Sequence, residues 1–404
     1  MTRTMADEQV HIAFRGTALI NRQMVTDAVV FVHDGRISAI GPHGDVDLPA
    51  NVRVIDAADQ CIAPGFVDIH IHGSGGCRAE EDAPGMARHV VRNGTTYFLP
   101  TLISNELPAM LDAIDHIRAH VGPVKGGATI GGVHLEGPFL NPKYGAQRPE
   151  TNIEPDAKSV RTLIDRCGDT LRIVTIAPER PGAIEAIEAF AAADAVVAMG
   201  HSDADEDEYR KGRRAGITHA THLLNAMPPK GGAFAPVYNG LHEIGPAHMV
   251  LADKGVTADI IADMNGEHVS STWLRIALAC KGADKLSLMT DAMVCAGLPP
   301  GAYEMADGQR IQAHNGEDIV RLANGDLCGS ALSMCGALRN FMNHTDVPLE
   351  TALTMVSEAP ARVLKLFDRK GSLAPGKDAD IVLLDADHNV ASVFIAGVEV
   401  FSRD

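Results

Sequence analysis

The sequence predicts an α/β fold, a (β/α)8 TIM barrel accompanied by a small β-sandwich domain formed from both chain termini. Three observations predict it. Eight short apolar runs are spaced between residues 65 and 293, most of the intervals between them can hold a helix, and the two chain ends read as β while the middle does not. Eight β-α units over roughly 230 to 300 residues match the barrel, whose active site lies at the carboxyl ends of its strands. A doubly wound sheet uses fewer strands and places a Gly-rich phosphate turn after the first, and no such turn follows the first run here.

The elements follow in order. HIAFRGTALI, AVVFVHDGRISAIG with its Asp34-Gly35 turn, and VRVIDAADQCIAPG read as antiparallel strands. The barrel runs are GFVDIHIHG, TTYFLPTL, ATIGGVHLEGPF, RIVTIAPE, AVVAMGHS, ITHATHLLNAM, VTADIIAD and KLSLMTDAM. Between them, PGAIEAIEAFAAAD and STWLRIALACKG repeat apolar residues at three and four, the helical spacing. The closing segment ADIVLLDADHNVASVFIAGVEVF is β again. Residues 1–62 and 365–404 are therefore expected to form the sandwich, and 63–364 the catalytic barrel.

Composition narrows the function. A chain of 404 residues, 46% hydrophobic, is long enough for one large core and a smaller companion. The formal charge of -17 repels polyanions, so nucleic acid is not an expected partner, although a local pocket can still hold one small anion. Seven cysteines without a Cys-x-x-Cys pair read as reduced thiols. The opening MTRTMADEQV lacks the apolar core of a secretory signal, and no run approaches the roughly 18 apolar residues of a membrane span. The expectation is a cytoplasmic protein with no membrane partner.

The polar residues of the barrel runs carry the chemistry. Strand alternation puts His70 and His72 on one face and Ile69 and Ile71 on the other. Glu136 ends the third run, His201 the fifth, His222 lies in the sixth and Asp291 ends the eighth, so all face one mouth. Four imidazoles and two carboxylates gathered there make the ligand set of a catalytic divalent-metal site, suited to zinc or iron. His134 has the parity of Glu136 and suits an outer hydrogen bond. His219 reads as structural, and His11, His43, His116 and His388 have no expected role in the site.

The segments APGFVDIHIHGSGG, GVHLEGPFLNP, TIAPE, GHSDAD, THLLNAM, LMTDAM and SLAPGKDADIVLLD resemble the amidohydrolase superfamily, and within it the N-acetylglucosamine-6-phosphate deacetylases. The resemblance implies a metal-dependent hydrolase that removes the N-acetyl group from an amino sugar. It implies Glu136, His201 and His222 as ligands of one ion, His70 and His72 as a second site bridged by Glu136, and Asp291 as the catalytic base. It also implies one or two divalent ions per chain, zinc first and iron second, and a homodimer.

Two departures bear on the substrate. Tyr144-Gly145-Ala146-Gln147 stands where the family reads Lys-Gly-Ala-His, so Gln147 replaces a substrate-contacting histidine. The loop after Asn-Ala-Met, PPKGGAFAPVYNG, has Ala233 near the position of the family's phosphate-binding arginine and contains no arginine. An amide hydrogen-bonds without charge, and losing a bidentate phosphate partner is not conservative. Lys230, Lys143 and Arg148 are the candidate replacement cations, with the backbone of Asn225 and Ala226 facing the anion and His268 as a further substrate contact. A sugar or sugar acid without a 6-phosphate is the alternative substrate. A cyclic-amide hydrolase of the same superfamily is disfavoured because RIVTIAPE lacks the lysine that such enzymes carboxylate. A deaminase is disfavoured because Ser202, Asp203 and Ala204 follow His201 in place of His-x-x-Glu. A binding protein without turnover has no need of Asp291.

Overall fold

The computed structural model describes residues 11–230 and 244–403. All eight apolar runs form strands of one parallel sheet in chain order: Phe66–Ile71, Thr95–Ile103, Val133–Glu136, Leu171–Ile176, Val196–Met199, Ile217–Ala220, Thr257–Ile260 and Leu286–Leu288. Asp291 N donates to His70 O and His72 N to Ala292 O, both at 2.9 Å, so the end of the eighth strand returns to the first and the barrel nearly closes. The third run is interrupted at Gly131-Gly132, where Gly132 takes φ 139, and its first part forms the separate strand Thr129–Ile130.

The two helices read from periodicity are present as Ala183–Ala192 and Ser271–Lys281. In the first, Ala183, Ala186, Ile187 and Phe190 are buried, the i, i+3, i+4, i+7 stripe of a helix lying on a sheet. They join Val174, Ile176 and Val197 in the main core. Truncating Phe190 there costs about 3–5 kcal/mol by the usual scale of buried aromatic-to-alanine changes. Inside the barrel, Val67 and Ile69 pack with Leu99, Ile173 and Ala198. Ile71 belongs to the main core instead, because a register shift between Asp68 and Ile71 interrupts the strand's alternation. Ile69 and Ile71 thus do not share surroundings, as simple alternation had them.

The chain ends form one continuous seven-stranded sheet. Its order is Val398–Ser402, Val390–Ile395, Ile381–Leu384, Arg53–Pro64, His11–Ile20, Gln23–His33 and Arg36–Pro42. The pair His11–Ile20 and Arg53–Pro64 is parallel, which corrects the wholly antiparallel reading. Three strand spacings, about 14 Å in a flat sheet, separate Phe14 from Phe394. Their ring centroids nevertheless lie 4.7 Å apart, edge to face, so the sheet curls over a core of its own.

A second, four-stranded antiparallel sheet, Gly301–Glu304, Arg310–Ala313, Ile319–Leu322 and Leu327–Ser330, follows the eighth barrel strand and has no counterpart in the sequence reading. Ser330 N donates to Asp291 O and Met293 N to Ser330 O, each at 2.8 Å, which stitches this sheet to the barrel mouth. All seven cysteines are free thiols. Among the described residues, no helix is long and apolar enough to cross a membrane.

Candidate metal centre

The strand ends deliver the expected residues to one place. His70 lies in the first strand, His72 one residue beyond it, and Glu136 is the last residue of the third. His201 and His222 each stand two residues beyond the fifth and sixth strands. His222 is therefore outside the strand, not within it as the sequence suggested, because the sixth strand ends at Ala220 and the Asp259 carboxylate captures the His222 N–H. Asp291 stands three residues beyond the eighth strand. His201, His222 and Asp291 adopt left-handed backbone, φ 47, 32 and 50. Such conformations cost non-glycine residues about 1–3 kcal/mol each and cluster at functional sites. Gly145 makes room for this arrangement: a Cβ on it would lie 2.2 Å from His201 Nδ1, and its own φ is 95.

The polar atoms converge tightly. Glu136 Oε1 is 2.9 Å from both His201 Nε2 and His222 Nε2, and those two nitrogens are 2.9 Å apart. On the other side, His70 Nε2 and His72 Nε2 are 3.2 Å apart. His70 lies 3.6 Å from Glu136 Oε1, and His72 lies 3.4 Å from Glu136 Oε2. Asp291 Oδ1 approaches His72 Nε2 at 3.0 Å and His70 Nε2 at 3.4 Å. Two clusters result, His70–His72–Glu136 and Glu136–His201–His222, all buried.

The far nitrogens define the tautomers. His72 Nδ1 lies 3.0 Å from Thr101 O, His201 Nδ1 3.1 Å from Tyr144 O, and His222 Nδ1 3.2 Å from Asn225 O. A carbonyl only accepts, so each Nδ1 carries the proton and donates, which leaves Nε2 as a lone pair aimed inward. Neutral rings would then set lone pair against lone pair and against carboxylate oxygens, an arrangement that a divalent cation relieves. The donor set, with its tautomers fixed by outer hydrogen bonds, fits such an ion. His70 differs in that its Nδ1 is buried without a partner, and the ring stands edge-on to His134 at 4.8 Å.

The electrostatics point the same way. Burial opposes ionisation of Glu136, yet His70 and His201 hold its carboxyl well below the usual range. Burial likewise opposes charge on Asp291, and His70 and His72 overcome it. Burial disfavours a charged His222, but the hydrogen bond to Glu136 pushes the ring up to about 9. The buried carboxylates thus draw positive charge into the cluster, and protons and metal ions compete for the same nitrogens. His134 is different: burial pushes it down to about 3, and its ring nitrogens are tied to Ile69 O at 2.9 Å and Thr175 Oγ1 at 3.0 Å, so it supports the strands and packs against His70 without offering a free nitrogen to the clusters. His219 is bonded to Asp259 at 3.1 Å and Thr257 at 2.8 Å, the structural role read for it.

A cleft of about 360 Å³ opens over the centre, lined by Gln147, Asn225, Ala226, His268 and Asp291 among others, a size suited to a monosaccharide-scale ligand. His268 Nδ1 lies 3.1 Å from Asp263 Oδ2, while its Nε2 and the Asn225 amide nitrogen are buried without partners. Lys143 also lines the cleft. Lys230 does not: its ammonium binds Asp205 at 2.8 Å and Glu208 at 2.7 Å. Arg148 is exposed outside the lining, and Ala233 lies outside the described residues. The sequence reading missed the lining residues Met305 and Asp326 to Gly329 from the second sheet and its turns, and, outside the lining, Asp263, whose carboxylate clamps the His268 loop. The acidic residue five before His268 was the available signal for Asp263.

Comparison with known proteins gives a consistent picture. Residues 61–400 match the model of the amidohydrolase family. The chain is 34% identical to N-acetylgalactosamine-6-phosphate deacetylase of Escherichia coli O157:H7 over 96% of this chain and 98% of that protein. It is 32% identical to N-acetylglucosamine-6-phosphate deacetylase of Bacillus subtilis (strain 168), covering 93% of each. Among solved structures, N-acetylglucosamine-6-phosphate deacetylase from Pasteurella multocida superposes with a TM-score of 0.86 at 28% identity, over 97% of this chain and 100% of that one.

Proposed function

The chain belongs to the amidohydrolase family, and from that premise we propose that it is a metal-dependent deacetylase of N-acetylated amino sugars, with N-acetylglucosamine 6-phosphate as its first substrate. The observation that carries this reading is the meeting of two His-Glu clusters with a buried aspartate beneath a monosaccharide-sized cleft. Residues 63–364 are the catalytic unit in this reading.

Glu136, His201 and His222 would hold one divalent ion, and His70 and His72 a second beside Glu136. Zinc, or iron as the alternative, suits these nitrogen and oxygen donors. When bound, such an ion supplies an acidic water and Lewis-acid polarisation of a carbonyl. The chain's own residues do the rest. Asp291, anionic and buried beside His72, accepts the proton of the attacking water and returns it to the nitrogen. The water oxygen joins the acetyl carbon, the C–N bond breaks, and the proton makes the amine a competent leaving group. His268 Nε2 and the Asn225 amide are unpartnered in the cleft wall and bind the sugar. The working form is a homodimer in the cytoplasm, a reading that rests on the family resemblance and the free thiols.

The relative acting on the galacto sugar and the absence of a loop arginine make the epimer and the phosphate the properties to test. Metal analysis should be followed by measurement of acetate release from the gluco and galacto N-acetyl sugars, each with and without 6-phosphate. Release from the phosphorylated gluco sugar at the highest kcat/KM is the expected result. A metal-loaded protein that released no acetate from any of them but opened a hydantoin ring would overturn the reading.

A further inference from the structure

The segment 141–147 supplies the hydrogen-bond partner of His201 but has no strand or helix of its own to hold it. Lys143 and Gly145 in it are exposed, and a Cβ on Gly145 would strike the His201 ring, so this backbone passes directly over the imidazole. What ties the segment down is one carboxylate. Asn141 Nδ2 donates to Asp203 Oδ1 at 2.9 Å, and the Tyr144 hydroxyl donates to Asp203 Oδ2 at 2.8 Å. Asp203 is buried two residues beyond His201. It is braced in turn by Glu179, whose Oε1 accepts from Asp203 N at 3.0 Å and from Asn141 Nδ2 at 2.9 Å.

Two backbone contacts complete the circuit: Asn141 N donates to His201 O and His201 Nδ1 to Tyr144 O, each at 3.1 Å. Tyr144 therefore grips Asp203 with its hydroxyl and receives the His201 proton with its carbonyl. The segment is pinned at its start by Asn141 and near its end by Gln309 Nε2, 2.9 Å from Ala146 O, which leaves Tyr144 as the side-chain anchor of its middle. We propose that Tyr144 is a positioning residue: its bond to Asp203 holds its own carbonyl on His201 Nδ1 and so keeps His201 Nε2 aimed at Glu136. Tyrosine suits this task better than the lysine of the family pattern, because its ring leaves two side-chain torsions where a lysine has a flexible four-carbon stem. This inference rests on the reading that the centre holds divalent cations.

The test is a chelator-competition titration of Zn²⁺ into metal-stripped full-length protein, with the visible spectrum of the Co²⁺-loaded form as a second readout, so that nothing depends on turnover. Tyr144→Phe removes the hydroxyl alone. It should lower Zn²⁺ affinity by about tenfold, the lower end of the range for outer partners of metal ligands, and shift the Co²⁺ bands, which report ligand geometry. Tyr209→Phe is the control: its hydroxyl also binds a carboxylate, Asp253 Oδ2 at 3.0 Å, but from a helix that lines no part of the cleft, and it should change neither readout. Asp203→Ala removes the other partner and serves as the second variant, with the same expectation, if Tyr144→Phe folds poorly by circular dichroism. Unchanged affinity in the folded variant, or a loss that Tyr209→Phe reproduces, overturns the proposal while leaving the metal centre intact. A wild type that binds no cation overturns the centre and this proposal together.

Discussion

His201 and His222 bring their Nε2 atoms to 2.9 Å from each other while both face Glu136 Oε1 at the same distance. Their Nδ1 protons are committed to Tyr144 O and Asn225 O, so a cation is what the three inward atoms have in common. Glu136→Gln replaces an anionic donor with a neutral amide. Replacing an outer partner of a metal ligand already costs 10–100-fold in affinity. The loss of the shared carboxylate should therefore lower affinity by at least about a hundredfold, read as metal content after dialysis. A variant that keeps full occupancy would show that Glu136 is not a ligand.

Asp291 separates chemistry from binding. It stands 3.0 Å from His72 Nε2, but the His201–His222 cluster is complete without it. Asp291→Asn keeps the shape and removes the carboxylate proposed as the base. Turnover should fall by at least about a hundredfold, the scale of general acid-base contributions, while the metal at Glu136–His201–His222 is retained. Near-normal turnover in this variant would take Asp291 out of the mechanism.

The convergence of these residues was more legible in the sequence than their exact place on the strands. Strand periodicity and residue type sufficed for His70, His72, Glu136, His201 and Asp291, because each lies at or just past the end of an apolar run. His222 was put inside its strand because the contact that ends the strand comes from Asp259, 37 residues away, and no local pattern carries it. Gln147 reads as a lost histidine, and only Ser104, 43 residues distant, reveals that its amide is turned toward Glu136. The sheet from Gly301 to Ser330 escaped notice because its four-residue, partly exposed strands make no apolar run. The curl that joins Phe14 to Phe394 depends on strand order, which pairs the two chain ends.

Asp263 makes a pH prediction. Burial raises its carboxyl, but hydrogen bonds from the His268 ring and from the backbone of Glu267 and His268 outweigh this and hold it at about 2, against 3.8 for the free group. A depressed folded pKa means that the folded state binds fewer protons than the unfolded one. The stabilisation is therefore complete above about pH 4 and lost as pH falls through about 2. Asp263→Asn should lower the melting temperature at neutral pH, and the gap from wild type should close between about pH 4 and pH 2. The same variant should raise KM, since His268 loses the partner that orients it. A melting gap constant across the acid range would mean that the carboxylate's charge is not what holds the loop.

Lys143 is the only lysine or arginine among the described residues lining the cleft. Lys230 is engaged by Asp205 and Glu208 and is not part of that lining. A 6-phosphate entering the cleft therefore meets one ammonium on a flexible stem in place of a guanidinium fork, and a point charge of this kind binds phosphate without bidentate geometry. Lys143→Met should raise KM for the phosphorylated sugar by about tenfold, the scale of one charge-assisted hydrogen bond, with kcat and the KM of the unphosphorylated sugar little changed. Lys230→Met should alter neither, because its ammonium already has two carboxylate partners. If Lys143→Met raised both KM values equally, the residue would be shaping the cleft and not reading the phosphate, and substrate choice would rest on the hydrogen bonds of Asn225 and His268.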